Sequence, residues 1–331
     1  MTLRQTSITP FPDISRHLKD KEGFCHPNWE AIGGQIEKSV AESDWNAAWE
    51  AAARQWLGRL CAQLGDGYQF HETENFMIVS EAPKRVMTDA CHFFEKALTQ
   101  ILSALSGVAL DEGYGKHVVL MFSLPKHYYK YISYFDSAGE HPTSGGMYLA
   151  GEGYAHFAFP TTDYASYRAV LVHELTHGCL AHLAIPAWLN EAMAMRMEDA
   201  VGQSNSFNLD REIHERHINH WNSRTIQQFW SGESWEIPGD SFDLSYNLAQ
   251  VIWRKIEVDL GAPRQAVLEF ISSAEDKDAG EAACNRVFGV NLGELAGDFL
   301  GEGDWSPKPD IWPRSKRKVD SARRQMSLCE S

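Results

Sequence analysis

The sequence predicts an α+β fold, predominantly helical, with a small mixed sheet. Three observations lead there. Residues 75–80, 117–122 and 154–159 are short runs rich in apolar and aromatic side chains, bounded by turn-forming residues, and read as strands. Much longer segments, 45–64 and 82–105, carry apolar residues at helical spacing. After Pro186 the pattern is almost wholly helical. A chain of 331 residues, 44% hydrophobic and 23% charged, suffices for one large or two modest domains.

Residues 1–66 read as a helical N-terminal extension. Its clearest part is 45–64, where Trp45, Trp49, Ala52, Trp56, Leu60 and Leu64 follow a helical period. Gly65-Asp66-Gly67 is a turn, and 68–80 is extended chain with a hairpin bend at Glu72-Thr73-Glu74-Asn75. The helix over 82–105 stops at Ser106-Gly107. Tyr128, Tyr129, Tyr131 and Tyr134 form an aromatic cluster whose simplest use is packing. Gly145-Gly146-Met147-Tyr148-Leu149 and 154–159 read as a glycine-led hairpin. Two helices separated by a turn at Pro186 then complete a subdomain spanning 67–201. A helical C-terminal subdomain occupies 202–300. Its 231–242 stretch, rich in Gly, Ser, Glu and Pro, is a loop anchored by Trp230 and Trp235. Beyond 301 a basic tail carries Lys316-Arg317-Lys318 and Arg323-Arg324.

The chemistry concentrates in His173-Glu174-Leu175-Thr176-His177. Two imidazoles four residues apart lie on one helix face, one turn apart. That spacing suits two corners of a tetrahedral zinc site, and the glutamate between them can take a proton from a metal-activated water. A helix with two surface histidines would need no metal. Leu171, Leu175, Cys179 and Leu183 argue against a surface helix, because they repeat every four residues and point to a buried face. Pro186-Ala187-Trp188-Leu189-Asn190-Glu191-Ala192-Met193-Ala194 begins the next helix, which the turn folds back across the first. Glu191, surrounded by apolar residues, is the candidate third ligand. His182 stands five residues after His177 and is rotated off the ligand face. His214, His217 and His220 share helical spacing and read as a solvated or hinge-side face rather than a second metal patch.

These motifs resemble the gluzincin zinc metallopeptidases, in particular the peptidase-MA-like branch with a P-x-W-L-x-E second motif. Further parts of the chain look similar: Ser245-Tyr246-Asn247-Leu248-Ala249 resembles a following S-Y-x-x-A helix, and Phe288-Gly289-Val290-Asn291-Leu292-Gly293-Glu294-Leu295 a closing helix. The pattern covers roughly residues 67–301. The resemblance implies a zincin-like catalytic domain. It also implies one zinc ion per chain, held by His173, His177 and Glu191, with Glu174 as general base. Tyr246 would be the donor to the developing oxyanion. An edge strand beside the cleft would make Gly145, Gly146, Met147 and Tyr148 the contacts for an extended peptide. The sequence departs from the family in two places. Ala192 stands where glycine follows the third ligand. Met195 stands where the thermolysin-like branch has an acid that orients a ligand histidine, leaving Glu198, Asp199 or a backbone carbonyl for that task.

A formal net charge of −15 argues against nucleic acid or an anionic membrane as partner, and leaves a peptide or protein substrate. The six cysteines, at 25, 61, 91, 179, 284 and 329, lack framework spacing. With no apolar leader in the first twelve residues, the expectation is a reduced, cytoplasmic protein. The reading is therefore a zinc-dependent peptidase. Its alternative is a zinc-binding interaction module without peptidase activity, and behind both stands a helical scaffold whose metal box is coincidental.

Overall fold

The structure, a computed structural model, describes residues 11–135, 145–150, 154–161 and 167–313. The chain divides into two compact units. Within the described residues, the first draws on 11–95 and 112–167, and the second on 96–111 and 168–313.

The first unit opens with a hairpin of β1 (Leu18–Lys21) and β2 (Phe24–Pro27). Glu22 and Gly23 turn it with positive φ, 55° and 86°. A purely helical 1–66 is therefore incorrect. The charged β1 offers no alternation, and β2 is too short to register as a strand. Two helices follow, α1 (Trp29–Ser39) and α2 (Trp45–Leu64). The Asn28 side chain caps the first by accepting from the Ala31 N–H, and Gly65 at φ 107° ends the second. Next come β3 (Gln69–Glu72), β4 (Phe76–Ser80), α3 (Lys84–Ala104), whose residues from 96 onward are counted with the second unit, β5 (His117–Phe122), α4 (Pro125–Ile132), β6 (Met147–Leu149) and β7 (His156–Pro160).

The sheet runs in the order β3-β4-β5-β7-β6. Its three central strands are parallel and both outer pairs antiparallel, so it is mixed. β4, β5 and β7 are buried almost end to end. That explains why they read as continuous apolar runs rather than alternations: parallel strands are covered on both faces. Two of the four clustered tyrosines are core packing, while Tyr129 is half-buried and Tyr134 exposed. Tyr128 and Tyr131 are fully buried, and the Tyr131 hydroxyl lies 2.7 Å from His156 Nε2.

The second unit is helical: α5 (Tyr167–Leu180), α6 (Ala187–Val201), α7 (Arg211–His220), α8 (Thr225–Ser231), α9 (Asp240–Arg254), α10 (Arg264–Ser273), α11 (Glu281–Phe288) and α12 (Leu292–Leu300). α9 continues into a π-helical turn at Lys255–Asp259. α6 packs along α9, and Arg196 of α6 pairs with Glu257 of the π turn at 2.9 Å. Trp188 donates its indole N–H to Ala279 O at 2.9 Å, tying the start of α6 to the loop before α11. Residues 305–312 are held by buried Gln227, which bonds Ser306 O, the Lys308 N–H and the Trp312 indole. The cluster Lys316 to Arg324 lies outside the described residues. Among the described residues, no helix is long and apolar enough to cross a membrane.

Candidate metal centre

α5 is apolar on nearly every side. Leu171, Val172, Leu175, Thr176, Cys179 and Leu180 are all buried, so its polar residues sit where water is scarce. His173, Glu174 and His177 are among them, and buried Thr176 bonds back to Val172 O. The helix stops at Leu180, earlier than the repeat through Leu183 implied, and residues 181–186 turn the chain. His182 therefore falls outside the helix that carries His173 and His177. Pro186, with φ −58° and ψ 146°, starts α6. Its carbonyl accepts from the Leu189 and Asn190 N–H groups.

The return of α6 brings Glu191 to the histidine pair. Glu191 Oε2 is 3.3 Å from His173 Nε2 and 3.6 Å from His177 Nε2. Donor atoms bonded at about 2.0–2.1 Å to a tetrahedral ion stand about 3.4 Å apart. One donor atom from each of the three residues lies within 4.8 Å of the other two, and they are the one such group among the described residues. The Glu191 oxygen is buried and makes no hydrogen bond. A buried oxygen facing two ring nitrogens without a hydrogen bond fits a cation among the three. The set fits zinc by its N, N, O donors.

The far ring nitrogens are held from outside. His173 Nδ1 lies 3.2 Å from Glu198 Oε2, and His177 Nδ1 lies 3.1 Å from Asn190 Oδ1. Each acceptor takes the N–H of Nδ1, which leaves Nε2 as the ring atom that faces Glu191. Of the three orienting groups open at Met195, Glu198 is the one in place. It stands two helical turns beyond Glu191 and so returns to the same face of α6. Asn190 was not foreseen; its place directly before Glu191, the candidate third ligand, was the available signal. Ala192 is buried and α6 runs through it unbroken.

Electrostatics are consistent with a site built for positive charge. Burial opposes charge on His173 and His177, yet Glu191 and Glu174, joined at His173 by Glu198, outweigh it and raise both pKa values. For Glu191 burial favours the neutral acid, but the two adjacent imidazoles hold it well below the usual carboxylate range. Glu174 is 8% exposed. Tyr246 of α9 has its phenol pKa raised by burial first, then by the charges of Glu191 and Glu174. Its ring meets Phe242 at 5.1 Å and Trp235 at 6.2 Å. Trp235 belongs to a short 3-10 turn, Glu233–Glu236, inside the stretch read as loop.

No family model matches the chain, and no curated protein matches it. One solved structure, described as a functionally unknown conserved protein from Bacillus anthracis str. Ames, is similar over 80% of this chain at 12% identity, with a TM-score of 0.37. The chain spans 56% of that protein's length.

Met147 and Tyr148 lie on edge strand β6 of the first unit, and Gly145 and Gly146 lead into it. The three metal-site residues belong to the second unit. The α7 histidines do not form a solvated face. His217 is wholly buried, while His214 and His220 approach Phe299 O at 3.4 Å and Ser241 Oγ at 3.3 Å.

Proposed function

We propose that this chain is a zinc-dependent peptidase of zincin-like fold, akin to the gluzincins its motifs resemble. The observation that carries the reading is the convergence of His173, His177 and Glu191 around an oxygen that has no hydrogen bond. A zinc ion held by those three supplies a Lewis acid that acidifies water and polarises a carbonyl.

The other residues follow from their environments. Glu174, one position after a ligand and nearly buried, takes a proton from the attacking water and passes it to the leaving amine. Tyr246 stays protonated at neutral pH, because burial and two nearby carboxylates disfavour phenolate. Its hydroxyl therefore donates to the carbonyl oxygen as that oxygen gains charge. Glu198 and Asn190 keep both imidazoles in the tautomer that a metal requires. The edge position of β6 supports backbone pairing between an extended substrate and the stretch Gly145, Gly146, Met147 and Tyr148. Cys25, Cys61, Cys91, Cys179 and Cys284 are free thiols, which supports a cytoplasmic setting.

Glu174→Gln is the direct test. It should retain one zinc per chain and lose turnover of a peptide library by at least a hundredfold. His177→Ala should lose the zinc. Full activity in Glu174→Gln would remove the general base from the scheme. Stoichiometric zinc with no peptide cleaved by the wild type would leave a zinc-binding interaction module instead.

A further inference from the structure

Tyr246 sits between two residues that are tied down separately. On one side, Ser245 is fully buried, with Oγ 2.6 Å from both Ser234 Oγ and Ser241 O. On the other side, Asn247 accepts at Oδ1 from His217 Nε2–H at 2.8 Å and donates from Nδ2 to Asn208 O at 2.7 Å. His217 is itself fixed, since its Nδ1 accepts from the Trp221 indole N–H at 2.9 Å. One ring nitrogen must accept and the other donate, so the imidazole is neutral and its tautomer is set. Its environment enforces that state. Burial, with His214, Arg216 and His220 beside it, pushes its pKa down to about 4, although the Asn247 bond opposes the shift. Phe299 of α12 closes the ring edge-on at 5.0 Å. A buried imidazole with both ring nitrogens paired is held rigidly in one orientation.

We infer that His217 is a positioning residue for Tyr246. Through Asn247 it sets the rotation of α9 about its axis, and with it the aim of the phenol hydroxyl. Successive helical residues are separated by about 100° of rotation, so a clamp on Asn247 leaves little freedom to its neighbour. The Ser245–Ser234 bond acts from the opposite flank. It also holds the turn whose Trp235 abuts the Tyr246 ring. The inference rests on the peptidase reading only in what it says about catalysis; the mechanical link between His217 and Tyr246 stands apart from it.

The test uses the full-length, zinc-loaded chain labelled with 3-fluorotyrosine, with the Tyr246 resonance assigned by its loss in Tyr246→Phe. His217→Phe and Asn247→Ala should each displace that resonance. Each should also lower kcat on a peptide substrate about tenfold while KM and zinc content hold. His217→Gln, which keeps a donor for Asn247, should restore most of the rate. In the Tyr246→Phe background, His217→Phe should cost no further activity, because a residue acting through another loses its effect when that other is gone. An unmoved resonance in Asn247→Ala, or an equal loss of kcat with and without the Tyr246 hydroxyl, would overturn the inference. Should the wild type cleave no peptide, the peptidase reading fails alone and the fluorine resonance still decides the link.

Discussion

Removing the Glu198 carboxylate should weaken zinc binding without dismantling the site. The Glu198 side chain is 18% exposed and its oxygen sits 3.2 Å from His173 Nδ1. A hydrogen bond to a charged, mostly desolvated acceptor is worth about 1.5–3 kcal/mol. At about 1.4 kcal/mol per tenfold, that converts to roughly a 10- to 100-fold loss of affinity, the range seen when outer-shell partners of metal ligands are removed. The matching change at His177 replaces a neutral acceptor. Asn190→Ala should therefore cost less, about three- to tenfold. Competition with a chromophoric chelator at neutral pH measures both, and circular dichroism checks that α6 survives. Glu198→Gln keeps an acceptor oxygen and should fall between wild type and Glu198→Ala. Wild-type affinity in Glu198→Ala, or a larger loss in Asn190→Ala, would refute the account of how these imidazoles are held.

Other outcomes follow from the same physics. Burial depresses His26 to about 4 and His156 to about 3. Below about pH 6.5 the unfolded chain binds protons that these buried rings refuse, so stability falls with pH. The slope should be about 2.4 kcal/mol per pH unit for the pair between pH 6 and 5. Denaturant unfolding of chelator-treated protein should show it, and His26→Phe with His156→Gln should remove the share of this pair while that of His217 remains; a flat profile in the unaltered chain contradicts the assignment. At Gly202 an added Cβ would fall 2.5 Å from Glu198 O and 3.1 Å from Ala169 Cα, where α6 ends against the start of α5. Gly202→Val should thus lower both melting temperature and zinc affinity, and a variant matching wild type in both would show the helices give way freely. Leu175→Ala deletes a fully buried side chain between the two ligand histidines and should cost about 2–5 kcal/mol of stability by urea titration. A cost below about 1 kcal/mol would mean the metal helix is less closely packed than described.

Much of the fold was legible because its signals are local. The strands β4, β5 and β7, the helices α2 and α3, and the turn at Gly65 each arise from a few neighbouring residues. The β1–β2 hairpin was not, because it is short and charged and draws its stability from packing onto α2. His173 and His177 are adjacent in space by the geometry of one helix, whatever the rest of the chain does. The arrival of Glu191 needed only a helix reversing at Pro186.

What the outer partners do depends on how separate helices cross. Glu198, Asp199 and a carbonyl were equal candidates for His173 on paper. The rotation of α6 against α5 selects Glu198, and a Cβ-free Gly202 lets the two approach closely enough for it to reach. The same holds for His217, which reads as a solvent-facing histidine until α9 and α12 bury it. Helical period states which residues share a face. Only the packed neighbours state what that face meets, since azimuth and crossing angle are set by side chains far apart in the chain.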